Sequence, residues 1–440
     1  MEVVVLVIFI LGYLAITLEH NLKIDKLVPA LAMMALAWAV VSLSHLPVFE
    51  VSPHGLEEST VEAVLLHHFG KTCEILIFLI GAMTIVEIID HFDGFATIKK
   101  FIKTNQKKTL LWIVAILAFI LSAIIDNLTA TIVLISILTK LIKKREDRIW
   151  YVGLIVITAN AGGAWSPIGD VTTTMLWMGE KVTTLKLMEH LILPSLVCML
   201  IPTFLASRME AFQGTFEAPK ENETTNKHSS FMLYLGLALI VAVPVFKTLT
   251  HLPPYVGMML SLAIFTIFAE VITNREFEMS DATSDTGHRS PVHAALTKIE
   301  MPSLLFFLGI LMTVAALESL GMIFQFGQSV EGSIGTDLFV IILGFASAVV
   351  DNVPLVAAGM GMFPDLVMDH PDWHLIAFTA GTGGSMLIIG SAAGVVAMGM
   401  ERIDFFWYLK KIAWLALVGY VAGVAAFYFF NHYLFDALGV

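Results

Sequence analysis

The chain has 440 residues, of which 57% are hydrophobic and only 14% charged, and its mean hydropathy is +0.83. No soluble domain of this length needs so many apolar side chains, so the composition excludes a soluble protein and indicates a polytopic membrane protein. A formal net charge of −12 adds little, because acidic residues hardly influence membrane orientation. The two cysteines, Cys73 and Cys198, form neither a disulfide framework nor a metal-ligand pattern, and we expect no cofactor and no nucleic-acid partner.

Long apolar runs alternate with charged loops, whereas a membrane barrel would show alternation within segments of about ten residues, so the predicted fold is all-α. The first runs cover residues 3–18, 27–43 and 75–89. Residues 1–18 lack a basic start and a small-residue cleavage site, so we expect a retained first span. Six loop regions carry 21 of the 25 Lys and Arg residues, namely 19–28, 91–108, 140–150, 208–230, 274–300 and 401–411. Placing these loops in the cytoplasm puts the N-terminus outside.

Two basic segments, residues 99–108 and 140–147, flank an apolar stretch of about 30 residues. If both segments are cytoplasmic, this stretch has to fold back on itself. Each leg of such a hairpin is roughly 22–24 Å long at about 1.5 Å per residue, which is short of the ~30 Å hydrocarbon core. The sequence therefore predicts a re-entrant hairpin at residues 109–139. It enters from the cytoplasmic side and carries Asp126 and Asn127 near its tip.

The next crossing, residues 150–179, contains the stretch NAGGAWSPIGD, with three glycines and a proline in the middle of the membrane. One regular helix cannot accommodate it, so we expect a broken helix, two half-helices joined by an unwound loop. Residues 191–207 return the chain to the cytoplasm. Residues 208–230 are polar and are predicted to form a cytoplasmic linker.

The second half of the chain repeats this order of elements. Its predicted segments are spans at residues 231–246, 256–272 and 304–320, a hairpin at 339–368, a broken helix at 374–400 and a last span at 412–430. The flanks of the second hairpin carry no basic residue, so this hairpin is expected to enter from outside. The C-terminus is then outside as well.

An internal repeat links the two halves. The stretch SAIIDNLTATIV returns as SAVVDNVPLVAA 225 residues later, and glycine landmarks follow in the same order. The sequence thus predicts two inverted-topology repeats, residues 1–207 and 231–440, each with about five transmembrane helices, one re-entrant hairpin and one broken helix. Such repeats are typical of secondary transporters with a site near the bilayer midplane.

A carboxylate at membrane depth is costly, so two in matching contexts indicate a functional site; the alternative for each Asp is a helix N-cap. Carboxylate, amide and hydroxyl oxygens suit a small hard cation. The threonines are the weakest candidates, because Thr in a membrane helix often bonds its own backbone. The candidate ligands are Asp126, Asn127, Thr129, Asn160, Asp170, Thr172, Thr173, Ser347, Asp351, Asn352 and Ser385.

Burial disfavours the charged form of a carboxyl group, so protons and cations are expected to compete for these oxygens. That competition can couple export of a cation to uptake of protons. A sodium-coupled permease for a carboxylate or oxyanion substrate is the alternative, although no basic residue falls in the motifs. An intramembrane enzyme is disfavoured, since no nucleophile–base pair or HExxH motif is present.

The stretches DNLTATIV and GGAWSPIGDVTTTMLW, with EHNLKIDKLVPAL before them, resemble the NhaD-type sodium/proton antiporters of the ion transporter superfamily. The resemblance implies a homodimeric exchanger of Na+ or Li+ for H+ in a bacterial inner membrane, moving by an elevator-like motion and serving pH and salt homeostasis. Dicarboxylate carriers of the superfamily typically read Ser-Asn-Thr at the hairpin tips, so the acids here argue against that substrate class. The resemblance assigns functional positions to Asp126, Asn127, Asn160, Asp170, Thr172, Thr173, Ser347, Asp351 and Asn352.

Overall fold

The structure is a computed structural model that describes residues 1–17, 19–52, 55–99, 102, 104–216, 227–279 and 290–431. Residues 217–226 of the predicted linker lie outside this description. Strands are limited, within the described residues, to one antiparallel hairpin of β1 (Val48–Ser52) and β2 (Gly55–Ser59), which the sequence analysis did not predict. Nearly everything else is helical.

The helices of the first half are α1 (Glu2–Thr17), α2 (Glu19–Leu22), α3 (Leu27–Leu43), α4 (Val61–His91), α5 (Ala96–Lys99), α6 (Lys107–Ile125), α7 (Asn127–Leu141), α8 (Arg145–Gly163), α9 (Val171–Met178) and α10 (Thr184–Ala206). A short 3₁₀ turn follows at Glu210–Phe212. The helices of the second half are α11 (Ser229–Thr250), α12 (Pro254–Met279), α13 (Pro291–Leu296), α14 (Met301–Ser319), α15 (Met322–Ser333), α16 (Thr336–Ala346), α17 (Asn352–Met362), α18 (Pro371–Gly383), α19 (Ala392–Glu401), α20 (Phe405–Lys411) and α21 (Ala413–Phe430).

Seven helices of the described chain, α4, α6, α10, α11, α12, α14 and α21, are long and apolar enough to cross a membrane. The chain bends by 119° between helices α15 and α16, which add an eighth candidate if they form one span. Side chains such as Leu11, Leu66 and Ile267 are exposed, as expected on a surface that faces lipid. The predicted all-α polytopic membrane protein is confirmed.

Four interruptions divide helices of the membrane region. Asp126 alone separates α6 from α7, with φ 80° and ψ 159°, a backbone conformation that residues with a Cβ rarely adopt. The other breaks are residues 164–170 between α8 and α9, 347–351 between α16 and α17, and 384–391 between α18 and α19. Re-entry of α6–α7 and α16–α17 into the bilayer stays a prediction.

Small residues let the broken helices approach their neighbours closely. A Cβ at Gly162 of α8 would fall on the backbone carbonyl of Phe119 in α6, and a Cβ at Gly383 of α18 would fall on that of Gly344 in α16. These glycines therefore set the distance between each broken helix and the helix packed against it. Most residues of α8 and nearly all residues of α18 are buried, and many of them are apolar or small.

A second group of helices surrounds a smaller hydrophobic cluster. Helix α3 packs against α1 and α14, with Val41 and Ala37 buried between them. The indole nitrogen of Trp38 in α3 donates a hydrogen bond of 2.8 Å to the Met312 carbonyl of α14. This bond fixes α3 to α14 in the apolar surroundings where an unpaired indole N–H would be costly.

An ion pair ties the end of α19 to the start of α8. Arg148 donates to both carboxylate oxygens of Glu401, at 2.6 and 2.8 Å, and Arg145 donates to the Glu401 carbonyl at 2.8 Å. The Glu401 side chain is 3% exposed and that of Arg148 12% exposed. Bidentate pairs of this kind are the strong ones, so this contact holds the two halves of the chain together at one end of the bundle.

We expect Glu401→Ala to lower the free energy of unfolding by about 3–5 kcal/mol, because it leaves the nearly buried Arg148 guanidinium without its carboxylate. Denaturant titration of the detergent-solubilised protein measures this loss. Glu189→Ala is the matched control, since the Lys186–Glu189 pair is about a third exposed and should be worth roughly 0.5 kcal/mol. Equal losses in the two variants would contradict the prediction.

Candidate functional site

Both acids of the repeated acid-amide motif cap a helix. An Asp126 oxygen accepts the backbone N–H of Thr129 at 2.8 Å at the start of α7, and Asp351 accepts that of Val353 at 3.4 Å at the start of α17. The positive end of the helix dipole stabilises a carboxylate in this position. The N-cap alternative is therefore right about the local contact. It leaves the amides that follow, Asn127 and Asn352, free to point elsewhere.

Those two amides converge on a third acid, Asp170, which caps α9. Asn127 Nδ2 donates to Asp170 Oδ2 at 2.7 Å, and Asn352 Nδ2 lies 3.3 Å from the same oxygen. The Thr172 N–H donates to Asp170 Oδ1 at 3.0 Å. Asp170 is only 2% exposed, so these donors replace water around its carboxylate. The sequence could not specify this convergence, because Asn352 is 182 residues away.

Asn160 extends the cluster across the two halves of the chain. Its Oδ1 accepts from Asn127 Nδ2 at 2.9 Å, and its own Nδ2 donates to the Ser391 hydroxyl at 2.9 Å. Asn160 is fully buried and Ser391 is 1% exposed. Ser391 caps α19 in the place that Asp170 has at α9, and it was not among the predicted ligands. We call the set Asn127, Asn160, Asp170, Asn352 and Ser391 the amide cluster.

The predicted threonines divide by where their hydroxyl groups point. Thr129 donates to Asp126 Oδ2 at 2.9 Å, and Thr173 donates to the Asp170 carbonyl at 2.9 Å. Thr173 therefore bonds its own backbone, as expected for a structural threonine. The buried Thr172 hydroxyl meets no hydrogen-bond criterion in the described part of the chain, but it lies close to the Asp170 carboxylate and interacts with it. It is therefore the threonine hydroxyl that belongs to the surroundings of that acid.

The predicted serines bond backbone carbonyls. Ser347 donates to the Ala380 carbonyl at 2.6 Å, and Ser385 donates to the Thr382 carbonyl at 2.6 Å. Ser347 thereby fixes the start of the break between α16 and α17 to α18. In the first half, Ser122 of α6 makes the equivalent bond to the Ala159 carbonyl of α8 at 2.6 Å. These contacts give the serines a positioning role, and ligation by Ser347 or Ser385 stays a prediction.

A cavity of about 20 Å³ lies between Asp126 and Asp170. Apolar side chains such as Phe78 and Met258 form much of its wall. A volume of roughly 10–15 Å³ is enough for one water molecule, so the cavity has room for one water or one small ion. Neither of the two acids that face the cavity, Asp126 and Asp170, forms an ion pair with a basic side chain of the described residues.

Asp351 faces a separate cavity of about 580 Å³. The lining includes the exposed residues Lys23 and Asp25, so solvent reaches it. The Lys26 ammonium lies 3.9 Å from Asp351 Oδ2. Sequence reasoning missed Lys26, whose only signal was its place in the stretch EHNLKIDKLVPAL. The structure thus gives the two repeated acids different surroundings.

The amide cluster and its acids offer carboxylate, amide and hydroxyl oxygens. Within the described ranges, no three His, Cys, Asp or Glu side chains gather in a geometry that could hold a metal ion. A cation here would have to take most of its ligands from amide, hydroxyl and backbone oxygens beside single carboxylates. Such a donor set suits a hard cation of low charge that binds and leaves again.

A family model described as citrate transporter matches residues 4–381. "Sodium/proton antiporter 1" of Arabidopsis thaliana is 43% identical over 97% of this chain and 72% of its own length. "Na(+)/H(+) antiporter NhaD" of Vibrio cholerae is 31% identical over 98% of this chain and 92% of its own length. The protein of the same name from Alkalimonas amylolytica is 32% identical over 98% and 91%.

We expect Asn127→Ala to destabilise the protein more than Asn352→Ala. Asn127 bridges Asn160 and Asp170 with short bonds, and loss of hydrogen bonds to a charged group costs about 1.5–3 kcal/mol. The bonds of Asn352 are 3.3 and 3.5 Å long, so its loss should cost under about 1 kcal/mol. Denaturant titration in sodium-free detergent solution compares them. A larger loss for Asn352→Ala would contradict this assignment of the cluster.

Proposed function

The chain belongs to the NhaD-type sodium/proton antiporter family and to the family of the citrate transporter model, and on that premise we propose that it exchanges Na+ for H+ across a membrane. The predicted resemblance to NhaD-type antiporters is confirmed. Because the matched relatives are named as antiporters and transporters, the prediction that the chain is a transporter and not an enzyme is confirmed as well.

The observation that carries the proposal is the small cavity between Asp126 and Asp170, beside the amide cluster. A carboxylate in such a place is stable only if a cation, a proton or hydrogen-bond donors neutralise it. Na+ and H+ therefore displace each other from the same oxygens. If the protein changes the side to which the site opens only when one of them is bound, entry of protons drives exit of Na+.

The amides give this exchange a mechanism. In the structure the Nδ2 groups of Asn127 and Asn352 face the Asp170 carboxylate. An amide side chain carries a donor and an acceptor, and rotation about its last bond exchanges them. On entry of Na+ the carbonyl oxygens of these amides turn toward the ion and join the carboxylate. On loss of Na+ the N–H groups return.

Two inverted repeats, residues 1–207 and 231–440, are the framework we propose for this exchange. Equivalent contacts in the two halves support it. The Ser122–Ala159 bond corresponds to the Ser347–Ala380 bond, since the donors are 225 residues apart and the acceptors 221. A repeat of this kind places one set of contacts on each side of a central site, and rocking of one part against the other can expose the site alternately.

The cavities suggest which side is open. Asp351 faces the 580 Å³ cavity, whose lining includes the loop predicted to be cytoplasmic at residues 19–28. Another cavity, of about 350 Å³, reaches Thr129 beside Asp126 and is lined by Glu87, Asp90 and Lys140 near other loops predicted to be cytoplasmic. We assign the structure to a state open toward the cytoplasm. Four acids and three lysines line this second cavity, so its charge is nearly balanced.

Several finer features are part of the proposal. We propose that Li+ replaces Na+, that the protein is a homodimer in the lipid bilayer, and that both termini lie outside a bacterial inner membrane. The reported relatives with the NhaD name come from bacteria, whereas "Sodium/proton antiporter 1" comes from a plant. The position of the termini depends on the loop charges, and the other features depend on the family resemblance.

A sodium-coupled permease for a carboxylate or oxyanion is the alternative, and the citrate transporter model favours it. Lys23 and Lys26 line the large cavity and could receive a carboxylate, but Glu19, Asp25 and Asp351 line it too.

Addition of Na+ or Li+ to inverted vesicles with an established proton gradient should dequench an acid-trapped fluorophore without any organic substrate. Dequenching by neither ion, with citrate-driven Na+ uptake instead, would favour the permease.

We expect Asp126→Asn and Asp351→Asn each to abolish the Na+-dependent dequenching while the protein remains inserted. Asn still caps the helix, so the fold is kept, but the charge that Na+ and H+ share is lost. Asp404→Asn is the matched control, because Asp404 caps α20 outside the site, accepting from Trp407 at 2.9 Å. Normal exchange in either variant would remove that Asp from the site.

A further inference from the structure

We propose that Lys26 is an internal counter-cation, whose ammonium group holds the place of the transported cation at Asp351 and is displaced when Na+ enters. This inference rests on the proposed function and adds a residue to it. It assigns Lys26 the role of a competitor that sets the affinity for Na+ on the side to which the large cavity opens.

The first support is the geometry of the pair. The Lys26 ammonium is 3.9 Å from Asp351 Oδ2, with side chains that are 21% and 14% exposed. Hydrogen-bonded pairs are closer, typically about 2.7–2.9 Å. In this protein Lys107–Asp147 is at 2.9 Å and Arg148–Glu401 at 2.6 Å. Lys26 and Asp351 therefore attract each other across a gap without a direct hydrogen bond. Such a contact neutralises the carboxylate and is easily replaced.

The second support is the place of Lys26 in the fold. Lys26 is the N-cap residue of α3 and makes no capping bond, whereas Asp25 accepts the Leu27 N–H at 2.8 Å. A positive charge at a helix N-terminus is unfavourable for the helix itself. Helix α3 contains no acidic residue, and the acid that pairs with Lys26 within 4 Å in the described part of the chain is Asp351.

The third support is a resting place for the displaced ammonium. Lys26 Nζ also lies 4.4 Å from the centre of the Phe306 ring in α14. A cation at this distance over an aromatic face is attracted to it. In the structure the ammonium therefore lies between the Asp351 carboxylate and the Phe306 ring. When Na+ takes Asp351, the ammonium can move away from the carboxylate and keep its contact with the ring.

This arrangement makes the two repeated acids unequal. The corresponding acid, Asp126, forms no ion pair within 4 Å in the described part of the chain and instead accepts the Thr129 hydroxyl. Asp126 faces a cavity of one-ion size, and Asp351 faces the wide one. Lys26 therefore acts at the wide entrance, where an ion would otherwise bind too readily and leave slowly.

The test is the Na+ concentration that gives half-maximal dequenching in inverted vesicles. In Lys26→Gln and Lys26→Met this concentration should fall about two- to fivefold, the effect expected for removal of a partly exposed ion pair. Lys26→Met keeps an aliphatic side chain against Phe306, so it controls for lost packing. Lys26→Arg should stay close to the wild-type value, because it restores the charge.

Lys23→Gln is the matched control for the general charge of the cavity, since Lys23 lines the same cavity, and it should shift the half-maximal concentration less than Lys26→Gln does. An unchanged or increased half-maximal Na+ concentration in both neutral Lys26 variants would overturn the inference, whatever their maximal rates. A wild-type protein without any Na+ response would instead overturn the proposed function. The two failures are therefore distinguishable.

Discussion

The neutralisation of Asp170 in a dry interior is the constraint on which the rest of this molecule depends. A lone buried carboxylate is costly, and here two amides from two separate helix N-termini approach it. For both to reach it, α6–α7 and α16–α17 have to be interrupted at matching positions, and α8 has to end before Asp170. The breaks, the glycines that let the helices approach and the serines that fix the breaks all serve that meeting.

The two halves share a scaffold but not a charge pattern. The break between α8 and α9 ends in Asp170, and the break between α18 and α19 ends in Ser391. Each of these residues caps the helix that follows it. Asn160 has no amide counterpart in the second half, where the equivalent position is Gly381. A Cβ atom added at Gly381 would lie about 3.8 Å from Asp170 Oδ2, so there is space for it. A symmetric scaffold can move alternately between two states, whereas the unpaired position of Asp170 makes the charge of the site asymmetric.

Hydropathy and glycine patterns were enough to predict the membrane class, because long apolar segments and mid-membrane Gly-Pro stretches have direct physical consequences. Individual side-chain directions could not be predicted. The stretch GDVTTTM contains three threonines in a row, and only the structure shows Thr172 facing inward while Thr173 and Thr174 bond the Asp170 carbonyl. Lys26 and Asp351 are 325 residues apart, and pairing at that separation is decided by tertiary packing alone. The strands β1 and β2 lie in a loop whose polar composition resembles that of the other loops, so it did not indicate strands.

Proton release from the purified protein is the most direct test of competition between Na+ and H+. Na+ is added to the detergent-solubilised wild-type protein and to Asp170→Asn in a weakly buffered solution, and the pH change and Na+ binding are followed together. We expect the wild-type protein to release protons as Na+ binds and Asp170→Asn to release none. Binding of Na+ to the wild-type protein without release of protons would contradict it.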